Sequence, residues 1–502
     1  MSLKSLTVLA GILSVSAGSF LQSDEYQVPL ISGSSRRPNI VFILTDDQDL
    51  HMNSLDYVPF IKKHLIDQGT LYKRHFWKAA HNTNVTDIFP PYGGYPKFVA
   101  EGHNENYLPK LLQDVGYDTY YTGKLFNAHT VDNYHSPHAA GWTGSDFLLD
   151  PFTYSYLNAT FQRNQDPPVS HEGEYSTDVL ACKALDFLDD AVAASKPFFL
   201  GIAPVAPHSN VQSNVISNGS VHDPHGIVFP PRGTPIFSPM PLSRERTTSI
   251  PRRLRALQAV DELVDSVVSR LEEYGILEET YIFYTTDNGY HIGHHRLQPG
   301  KECGYEEDIN IPLIIRGPQV PEGKVAEIVT THQDLVPTIM SLAQAPLRAD
   351  FDGLAIPLTE EDFGDAAKTR HEHVTVEYWG FAASEGPWGY FGRNESFVFN
   401  NTYKALRVVS KEYNLYYSVW CNNEHELYDL NTDPGQLNNL LHEESQSISL
   451  LGLPIEKIVS RLDSLLHAMW TLCAAHFHRD STVSISNNKF ELNTRVARWV
   501  IL

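Results

Sequence analysis

Four apolar runs of strand length recur along the first two thirds of the chain, and each ends abruptly in polar residues. The runs are rich in β-branched and aromatic residues and do not alternate with polar ones; they read NIVFILTDD, DTYYTGK, KPFFLGIAPVAPH and TYIFYTTDN. Strands of this kind are buried on both faces, as in a parallel sheet that helices cover on each side. The pattern therefore predicts an α/β fold with a large, mostly parallel sheet flanked by helices.

The clearest helical pattern leads directly into the last of these runs. It extends from Pro251 to about Tyr274, with apolar residues at three- and four-residue spacing. Pro251 suits the first helical turn and Gly275 suits a C-terminal cap. The order of helix and then strand is typical of α/β architecture.

From about Leu347 the pattern changes. Short alternating segments predict a small antiparallel sheet; they read HVTVEYWG, TYKALRVVS, NLYYSVW and HELYDL. An apolar helix is predicted from about Pro454 to Cys473. We therefore predict a larger N-terminal domain over residues 37–346 and a smaller α+β domain over residues 347–502.

The charge balance limits the partners of this chain. Lys plus Arg is 38 against 60 for Asp plus Glu, which gives a formal net charge of −22. Such a charge opposes general attraction to nucleic acid or to anionic lipid, so neither nucleic acid nor a membrane is expected as a partner. An anionic substrate would have to be held by a local cationic pocket or by a metal ion.

The N-terminus predicts entry into the secretory pathway. Lys4 precedes the apolar run LTVLAGILSV, and small residues follow at the position of a cleavage site. The run is too short to span a bilayer, so we expect a signal peptide over residues 1–17 and an extracellular or vacuolar, lysosome-like destination. This destination fits N-glycans, which are predicted at the sequons of Asn84, Asn158, Asn218, Asn394 and Asn400.

The four cysteines are too few for a disulfide scaffold. Because the secretory pathway is oxidising and both residues lie in the smaller domain, we predict a disulfide between Cys421 and Cys473. Cys182 and Cys303 are expected to remain unpaired.

Acidic residues follow two of the apolar runs. Asp46 and Asp47 end the first run, and Asp287 with Asn288 ends the fourth. Ligands of open α/β sheets bind beyond the carboxyl ends of the strands, so neighbouring strands would bring three carboxylates and one amide oxygen together. These hard oxygen ligands select Ca²⁺ or Mg²⁺ over Zn²⁺, and the carboxylates would repel one another without a cation. Solvated strand ends, with Asp-Asn-Gly forming a turn, are the alternative at this stage.

Cationic residues occupy comparable positions. Lys124 follows Gly123, His208 follows the third run, and Lys301 lies in the loop QPGKECGY. A cationic ring around a divalent metal suits a sulfate or phosphate ester, because negative charge builds on the ester oxygens in the transition state. Each residue alone has a structural explanation, such as a turn lysine or a structural histidine. Their shared position after apolar strands favours an anion pocket.

Several motifs together resemble the sulfatase family, close to the secreted fungal arylsulfatases of the alkaline-phosphatase superfamily. They are RPNIVFILTDDQD, YYTGKLFN, APVAPH, TTDNGYHIGHHRLQPGK with YEEDINIPLIIRGP, and HELYDLNTDPGQLNNL. The resemblance covers about Arg37 to about His476. It implies hydrolysis of a small-molecule or glycan sulfate ester, with Lys124, His208 and Lys301 at the sulfate group and Ca²⁺, with Mg²⁺ as the alternative, on Asp46, Asp47, Asp287 and Asn288.

One departure from the family concerns the nucleophile. Members use a formylglycine made from the Cys or Ser of a C/S-x-P-x-R motif, but no cysteine of this chain is followed by x-Pro-x-Arg. The residues on either side of this position resemble the family, yet only four residues separate Phe76 from His81, so we expect the segment that carries the motif to be missing. Ser249-Ile250-Pro251-Arg252-Arg253 fits the motif literally, and we interpret Ser249 as a helix N-cap. Thr83 and Thr86 are weaker substitutes.

We therefore expect a secreted, Ca²⁺-dependent arylsulfatase whose given sequence binds sulfate esters but scarcely hydrolyses them. A skipped exon or misjoined gene model explains the gap better than an evolved loss, because removing such an element would leave a cavity in the core. Two alternatives remain: a non-catalytic secreted protein that binds the anion and the metal, and a phosphodiesterase of the same superfamily. Asn288 speaks against the latter, which would more often carry His there.

Overall fold

A ten-stranded mixed sheet forms the centre of the computed structural model. The structure describes residues 37–77, 93–212, 215–217, 244–297, 299–378, 382–383, 397–398, 401–442 and 449–477. In chain order, the strands of this sheet are β1 (Asn39–Thr45), β2 (Thr70–Phe76), β3 (Asp118–Lys124), β4 (Gly144–Leu148), β5 (Asn158–Arg163), β6 (Val169–Glu172), β7 (Phe198–Ala203), β8 (Thr280–Thr286), β9 (Leu313–Arg316) and β10 (Lys324–Thr331). Their spatial order is β10-β2-β9-β8-β1-β7-β3-β4-β5-β6.

The strands β8, β1, β7, β3 and β4 are parallel neighbours at the middle of the sheet. These include all four strands predicted from the apolar runs. The pairs β8–β9, β9–β2, β4–β5 and β5–β6 are antiparallel. The carboxyl ends of the five central strands therefore point to one edge of the sheet, where the polar residues that follow the runs can meet.

Helices cover both faces of this sheet. The helices of the chain are α1 (Pro59–Ile61), α2 (Gly94–Ala100), α3 (Leu108–Asp114), α4 (Ser176–Ala194), α5 (Arg244–Glu273), α6 (Glu306–Ile309), α7 (Leu335–Leu342), α8 (Glu360–Thr369) and α9 (Ile455–Phe477). Alternate residues of β1 enter opposite cores: Phe42 packs with α3 and α7, whereas Val41 packs with α4 and α5. All seven residues of β1 are buried, which explains why the run lacks polar alternation.

A four-stranded antiparallel sheet follows, as predicted. Its strands are β11 (His373–Tyr378), β12 (Tyr403–Val409), β13 (Asn414–Trp420) and β14 (His425–Asp429), in that spatial order. One face packs with Phe76 and Ile309, and the other packs on α9. Three short two-stranded ladders pair Asn210–Gln212 with Val215–Ser217, Ala382–Ala383 with Phe397–Val398, and Ser449–Leu450 with Leu453–Pro454.

The helix predicted to begin at Pro251 begins seven residues earlier, at Arg244. The interpretation of Ser249 as an N-cap is therefore wrong, because Ser249 lies inside the helix. Arg and Glu before the proline are good helix formers, and the helix includes them although Pro251 removes one backbone hydrogen bond and crowds the preceding turn.

Several predictions fall on residues that the structure does not describe. They are the signal peptide, the sequons at Asn84, Asn218, Asn394 and Asn400, the segment around His81 with Thr83 and Thr86, and the side chain of Cys473. Asn158, at the start of β5, is half-buried, and its Oδ1 accepts a hydrogen bond from Ser170 Oγ at 3.1 Å. Cys182 and Cys303 form no disulfide, as expected. Among the helices in the described residues, none has the length and apolar character needed to cross a bilayer.

Candidate active site

The acidic residues that follow β1 and β8 meet at the carboxyl edge of the large sheet. The two strands are parallel neighbours, with Thr45 opposite Thr286. The Asp47 N–H donates to Asp287 Oδ1 at 2.9 Å, and Asn288 Nδ2 donates to Asp47 Oδ1 at 2.7 Å. Asp46 is 3% exposed and Asp47 is 0% exposed. The sheet order thus brings together the four residues proposed from the sequence as oxygen ligands.

Asp47 adopts an uncommon backbone conformation. Its φ is +65°, in the left-handed region that costs a residue with a side chain roughly 1–2 kcal/mol. Hydrogen bonds on both sides support this turn: Asp287 accepts from the Asp47 N–H, and the next N–H, of Gln48, donates to Thr286 Oγ1 at 2.9 Å. The conformation directs the chain sharply away from the end of β1 and leaves the carboxylate at the sheet edge.

The three predicted cationic residues face these carboxylates. Lys124 Nζ lies 2.6 Å from Asp46 Oδ2, and Lys301 Nζ lies 2.8 Å from Asp47 Oδ1. His208 Nε2 lies 3.5 Å from Asp47 Oδ2. Lys124 and Lys301 are each 17% exposed at the side chain, so an anion in the cleft can reach their ammonium groups.

Charge repulsion and burial determine the protonation of this cluster. Burial, together with the neighbouring Asp46 carboxylate, raises the pKa of Asp287 to about 8. Burial also opposes ionisation of Asp47, but Lys301, His208 and Arg253 outweigh it and lower its pKa. Burial disfavours the charged form of Lys124, yet Asp46 holds the pKa of Lys124 well above its usual value. The three carboxylates of the site are therefore not all ionised at pH 7 unless a further positive charge is present.

These residues fit a hard divalent cation. Asp46 Oδ1 and Asp47 Oδ2 are buried and have no hydrogen-bond partner among the described residues. Single ligand atoms of Asp46, Asp47 and His208 all lie within 4.8 Å of one another. Asn288 points its amide nitrogen at Asp47, and a half-turn of the amide would present its oxygen instead. A cation here would satisfy the two unpaired oxygens and reduce the repulsion on Asp287.

Aromatic residues that the sequence analysis did not select support the anion pocket. The ring of Tyr154 lies 4.3 Å from the His208 ring, and Lys124 Nζ lies 5.1 Å from the centre of the Tyr154 ring. The Tyr154 hydroxyl donates to Asn127 Oδ1 at 3.0 Å, and the Tyr156 hydroxyl donates to the His208 carbonyl at 2.9 Å. Both tyrosines lie in the connection between β4 and β5, where no motif or periodicity indicates a role.

A pair of buried histidines supports the end of β8. His332 Nε2 donates to the Thr286 carbonyl at 2.7 Å. Because a carbonyl only accepts, His332 Nδ1 must accept from His75 Nε2 at 2.8 Å, and His75 Nδ1 must accept from Thr330 Oγ1 at 2.9 Å. Burial lowers the pKa of His332 to about 4, and burial together with the neighbouring His332 lowers the pKa of His75 well below its usual value. Both rings are therefore neutral at pH 7.

His129, five residues after Lys124, is a buried histidine outside the cluster of Asp46, Asp47 and His208. Neither ring nitrogen has a hydrogen-bond partner among the described residues, and the ring packs 4.1 Å from Tyr95. Burial lowers the pKa of His129 to about 3. It remains neutral and is part of the aromatic core that includes Phe126.

A second buried cluster of metal-ligating residue types comprises His291, Cys303 and Asp308. In this cluster, both carboxylate oxygens of Asp308 have hydrogen-bond partners. Asp308 contacts His291 Nδ1 through both oxygens, at 2.8 and 2.9 Å, and accepts from the Cys303 N–H at 2.9 Å. Burial, together with the neighbouring Asp308 carboxylate, raises the pKa of the Cys303 thiol.

Comparisons with known proteins point to one family. The sulfatase family model matches residues 38–345, and a model of the N-sulphoglucosamine sulphohydrolase C-terminal region matches residues 293–452. The chain is 34% identical to an arylsulfatase of Volvox carteri, over 83% of this chain and 73% of that protein. It is 31% identical to an N-acetylglucosamine-6-sulfatase of Capra hircus, over 81% of this chain and 80% of that protein.

A solved structure shares the fold. It is BT4656 in complex with its substrate D-glucosamine-2-N,6-O-disulfate, with a TM-score of 0.61 and 19% sequence identity over 87% of this chain and 98% of that one. The family match and the two relatives agree with one another. The chain is a member of the sulfatase family, the sulfuric ester hydrolases with an alkaline-phosphatase-like fold.

Proposed function

We propose that this sulfatase is a secreted, calcium-dependent enzyme for aryl (phenol) sulfates. The observation that carries the proposal is the meeting of three carboxylates and three cationic side chains at one sheet edge. In this proposal Ca²⁺ is held by Asp46, Asp47, Asp287 and Asn288, and the sulfate group is contacted by Lys124, His208 and Lys301. Mg²⁺ is the alternative ion.

In this proposal, the carboxylates hold the ion and the cationic side chains contact the sulfate group. When bound, the ion supplies positive charge next to the sulfate oxygens, where negative charge develops during ester cleavage. Lys124 and Lys301 hold ammonium groups at the same edge, each already within 3 Å of a carboxylate that orients it. His208 is oriented by Tyr154 and by the hydrogen bond between Tyr156 and its carbonyl, so its imidazole is positioned to transfer a proton.

The relatives support an aryl sulfate as the first substrate to test and a sulfated amino sugar as the second. The Volvox relative is an arylsulfatase, and the Capra hircus relative acts on N-acetylglucosamine-6-sulfate. The identity is 34% to the Volvox arylsulfatase and 31% to the Capra hircus N-acetylglucosamine-6-sulfatase. We therefore rank the aryl ester first.

A second candidate function is a secreted protein that binds Ca²⁺ and sulfate without catalysis. The observation that favours it is the absence of a C/S-x-P-x-R motif other than the one at Ser249. Sequencing the transcript across the codons for Phe76 to His81 distinguishes the two candidates, because it shows whether a nucleophile segment is encoded there. An insert that encodes the motif would mean that the natural protein carries a nucleophile.

The decisive experiment uses the purified chain. We expect a calorimetric titration to detect binding of Ca²⁺ and of inorganic sulfate. Hydrolysis of para-nitrophenyl sulfate that EDTA abolishes and Ca²⁺ restores supports the first candidate, and binding without hydrolysis supports the second. Hydrolysis that EDTA does not affect would contradict the calcium proposal. A chain that binds neither Ca²⁺ nor sulfate would contradict both candidates.

A further inference from the structure

One buried arginine connects the strand ends that carry the candidate site. Arg253 lies on α5 and is 6% exposed. Its guanidinium donates to the carbonyl of Asp47 and to that of Pro207, the latter at 3.4 Å. It also lies 3.7 Å from Asp49 Oδ1 and 4.3 Å from the centre of the Tyr290 ring. Arg253 thus contacts the segments that follow β1, β7 and β8.

We propose that Arg253 is a positioning residue that holds Asp47 and His208 in their places at the metal and sulfate site. This inference rests on the proposed function, because it assigns a role toward the same site. Arg253 does not itself touch the ion or the sulfate group. It acts through the backbone of the two residues that do.

The contact with Asp47 has a specific consequence. The peptide group between Asp47 and Gln48 is held at both ends, because Arg253 binds its carbonyl oxygen and Thr286 Oγ1 binds its N–H. This peptide follows a residue with φ +65°, so the two hydrogen bonds offset the cost of the left-handed conformation. Without the guanidinium, Asp47 would lose one of the restraints that aim its carboxylate.

The contact with Pro207 restrains the backbone after β7 in the same way. His208 directly follows Pro207, and its imidazole lies 3.5 Å from Asp47 Oδ2. A planar guanidinium with several donors reaches two carbonyls and one carboxylate at once, which a lysine cannot do.

The test compares Arg253→Lys with two matched controls. Arg407→Lys changes another buried arginine, 3% exposed, whose Nε bonds Glu306 Oε1 at 2.6 Å in the smaller sheet. Arg252→Gln changes the exposed neighbour of Arg253 on the same helix. We expect Arg253→Lys to weaken calorimetric Ca²⁺ affinity about tenfold or more, and both controls to leave it within about twofold.

A crystal structure of Arg253→Lys gives a readout that does not depend on binding. We expect Asp47 to leave the left-handed region. The inference is overturned if folded Arg253→Lys keeps φ of Asp47 near +65° and wild-type Ca²⁺ affinity, or if Arg407→Lys weakens Ca²⁺ binding equally. If the wild-type chain binds no Ca²⁺, the proposed function fails instead, and the conformation of Asp47 in the variant alone decides the role of Arg253.

Discussion

Two buried clusters of metal-ligating residue types adjoin the segment after β8, and they differ in how completely they satisfy their own polar atoms. In the cluster of Asp46, Asp47 and His208, two carboxylate oxygens lack a hydrogen-bond partner among the described residues. In the cluster of His291, Cys303 and Asp308, both oxygens of the carboxylate are bonded. Residue type and burial are similar in the two clusters. The unpaired oxygens are what distinguish a candidate ion site from a structural one.

The first cluster also concentrates unfavourable features. It contains a residue at φ +65°, and burial together with the Asp46 carboxylate raises the pKa of the nearby Asp287. Such local costs collect where a ligand later offsets them. The second cluster shows neither an unpaired carboxylate oxygen nor a strained backbone at its three residues. Four measurements can break or sharpen this comparison.

The largest expected effect belongs to the structural cluster. Asp308→Asn removes a carboxylate that is 0% exposed and places an amide donor against the groups that now donate to it. Breaking a buried pair of this kind costs about 3–5 kcal/mol, which urea unfolding would measure. The Ca²⁺ affinity of the folded fraction should be unchanged. A loss of Ca²⁺ binding at wild-type stability would reverse the roles of the two clusters.

The matched change in the candidate site should act on the ion rather than on the fold. Asp47→Asn removes a charged oxygen ligand from a cluster of three carboxylates that repel one another. We expect the Kd for Ca²⁺ to rise at least about a hundredfold, or about 2.8 kcal/mol, by calorimetry. The free energy of unfolding without Ca²⁺ should change much less than in Asp308→Asn. Equal Ca²⁺ affinity in Asp47→Asn and wild type would remove Asp47 from the ligand set.

A pH series tests the neutral histidine pair behind β8. His75 and His332 have folded pKa values below the unfolded value, so the unfolded chain binds more protons between pH 6.5 and about 4. Their contribution to stability is present above pH 6.5 and is lost as the pH falls through this window. The loss should be about 1–3 kcal/mol by urea unfolding.

The control for the pH series is a histidine at the surface. His332→Gln should flatten the dependence of stability on pH between pH 6.5 and 4, and the exposed His442→Gln should leave it unchanged. If both variants behave alike, the buried pair is not the source of the acid sensitivity.

The smallest effect is expected at Tyr154. Tyr154→Leu removes the ring that lies 4.3 Å from His208 and should weaken binding of inorganic sulfate by about 1 kcal/mol, or about fivefold. Tyr154→Phe keeps the ring and loses only the hydrogen bond to Asn127, so its sulfate affinity should stay within about twofold of wild type. Equal weakening in both variants would assign the effect to the hydroxyl and not to the ring.

The strands and the candidate oxygen ligands could be predicted because their signals are local. An apolar run without alternation predicts a strand buried on both faces, and β1 and β8 are such strands. The ligands of β1 and β8 can share one site only if the two strands are neighbours, and no local signal in the sequence indicates which strands are neighbours. The sheet order fulfils this condition, because parallel strands place their carboxyl ends at one edge.

The incorrect N-cap and the site residues that the sequence did not indicate depend on contacts outside the local segment. Ser249 matched a helix N-cap by residue type, but the start of α5 depends on the residues before Pro251 as well. Arg253 and Tyr154 belong to segments distant in sequence from Asp47 and His208, and their side chains meet those residues only after the sheet is formed. No spacing rule connects them.

The amino-acid sequence by itself determined the α/β class, the smaller antiparallel sheet and the identity of the groups at the strand ends, because periodicity and residue chemistry are properties of short segments. Only the tertiary structure decided which oxygens remain unpaired, that Asp47 takes a left-handed conformation, and that one guanidinium joins three strand ends. These outcomes depend on distances between segments about 200 residues apart, which are set when the helices and the sheet pack together.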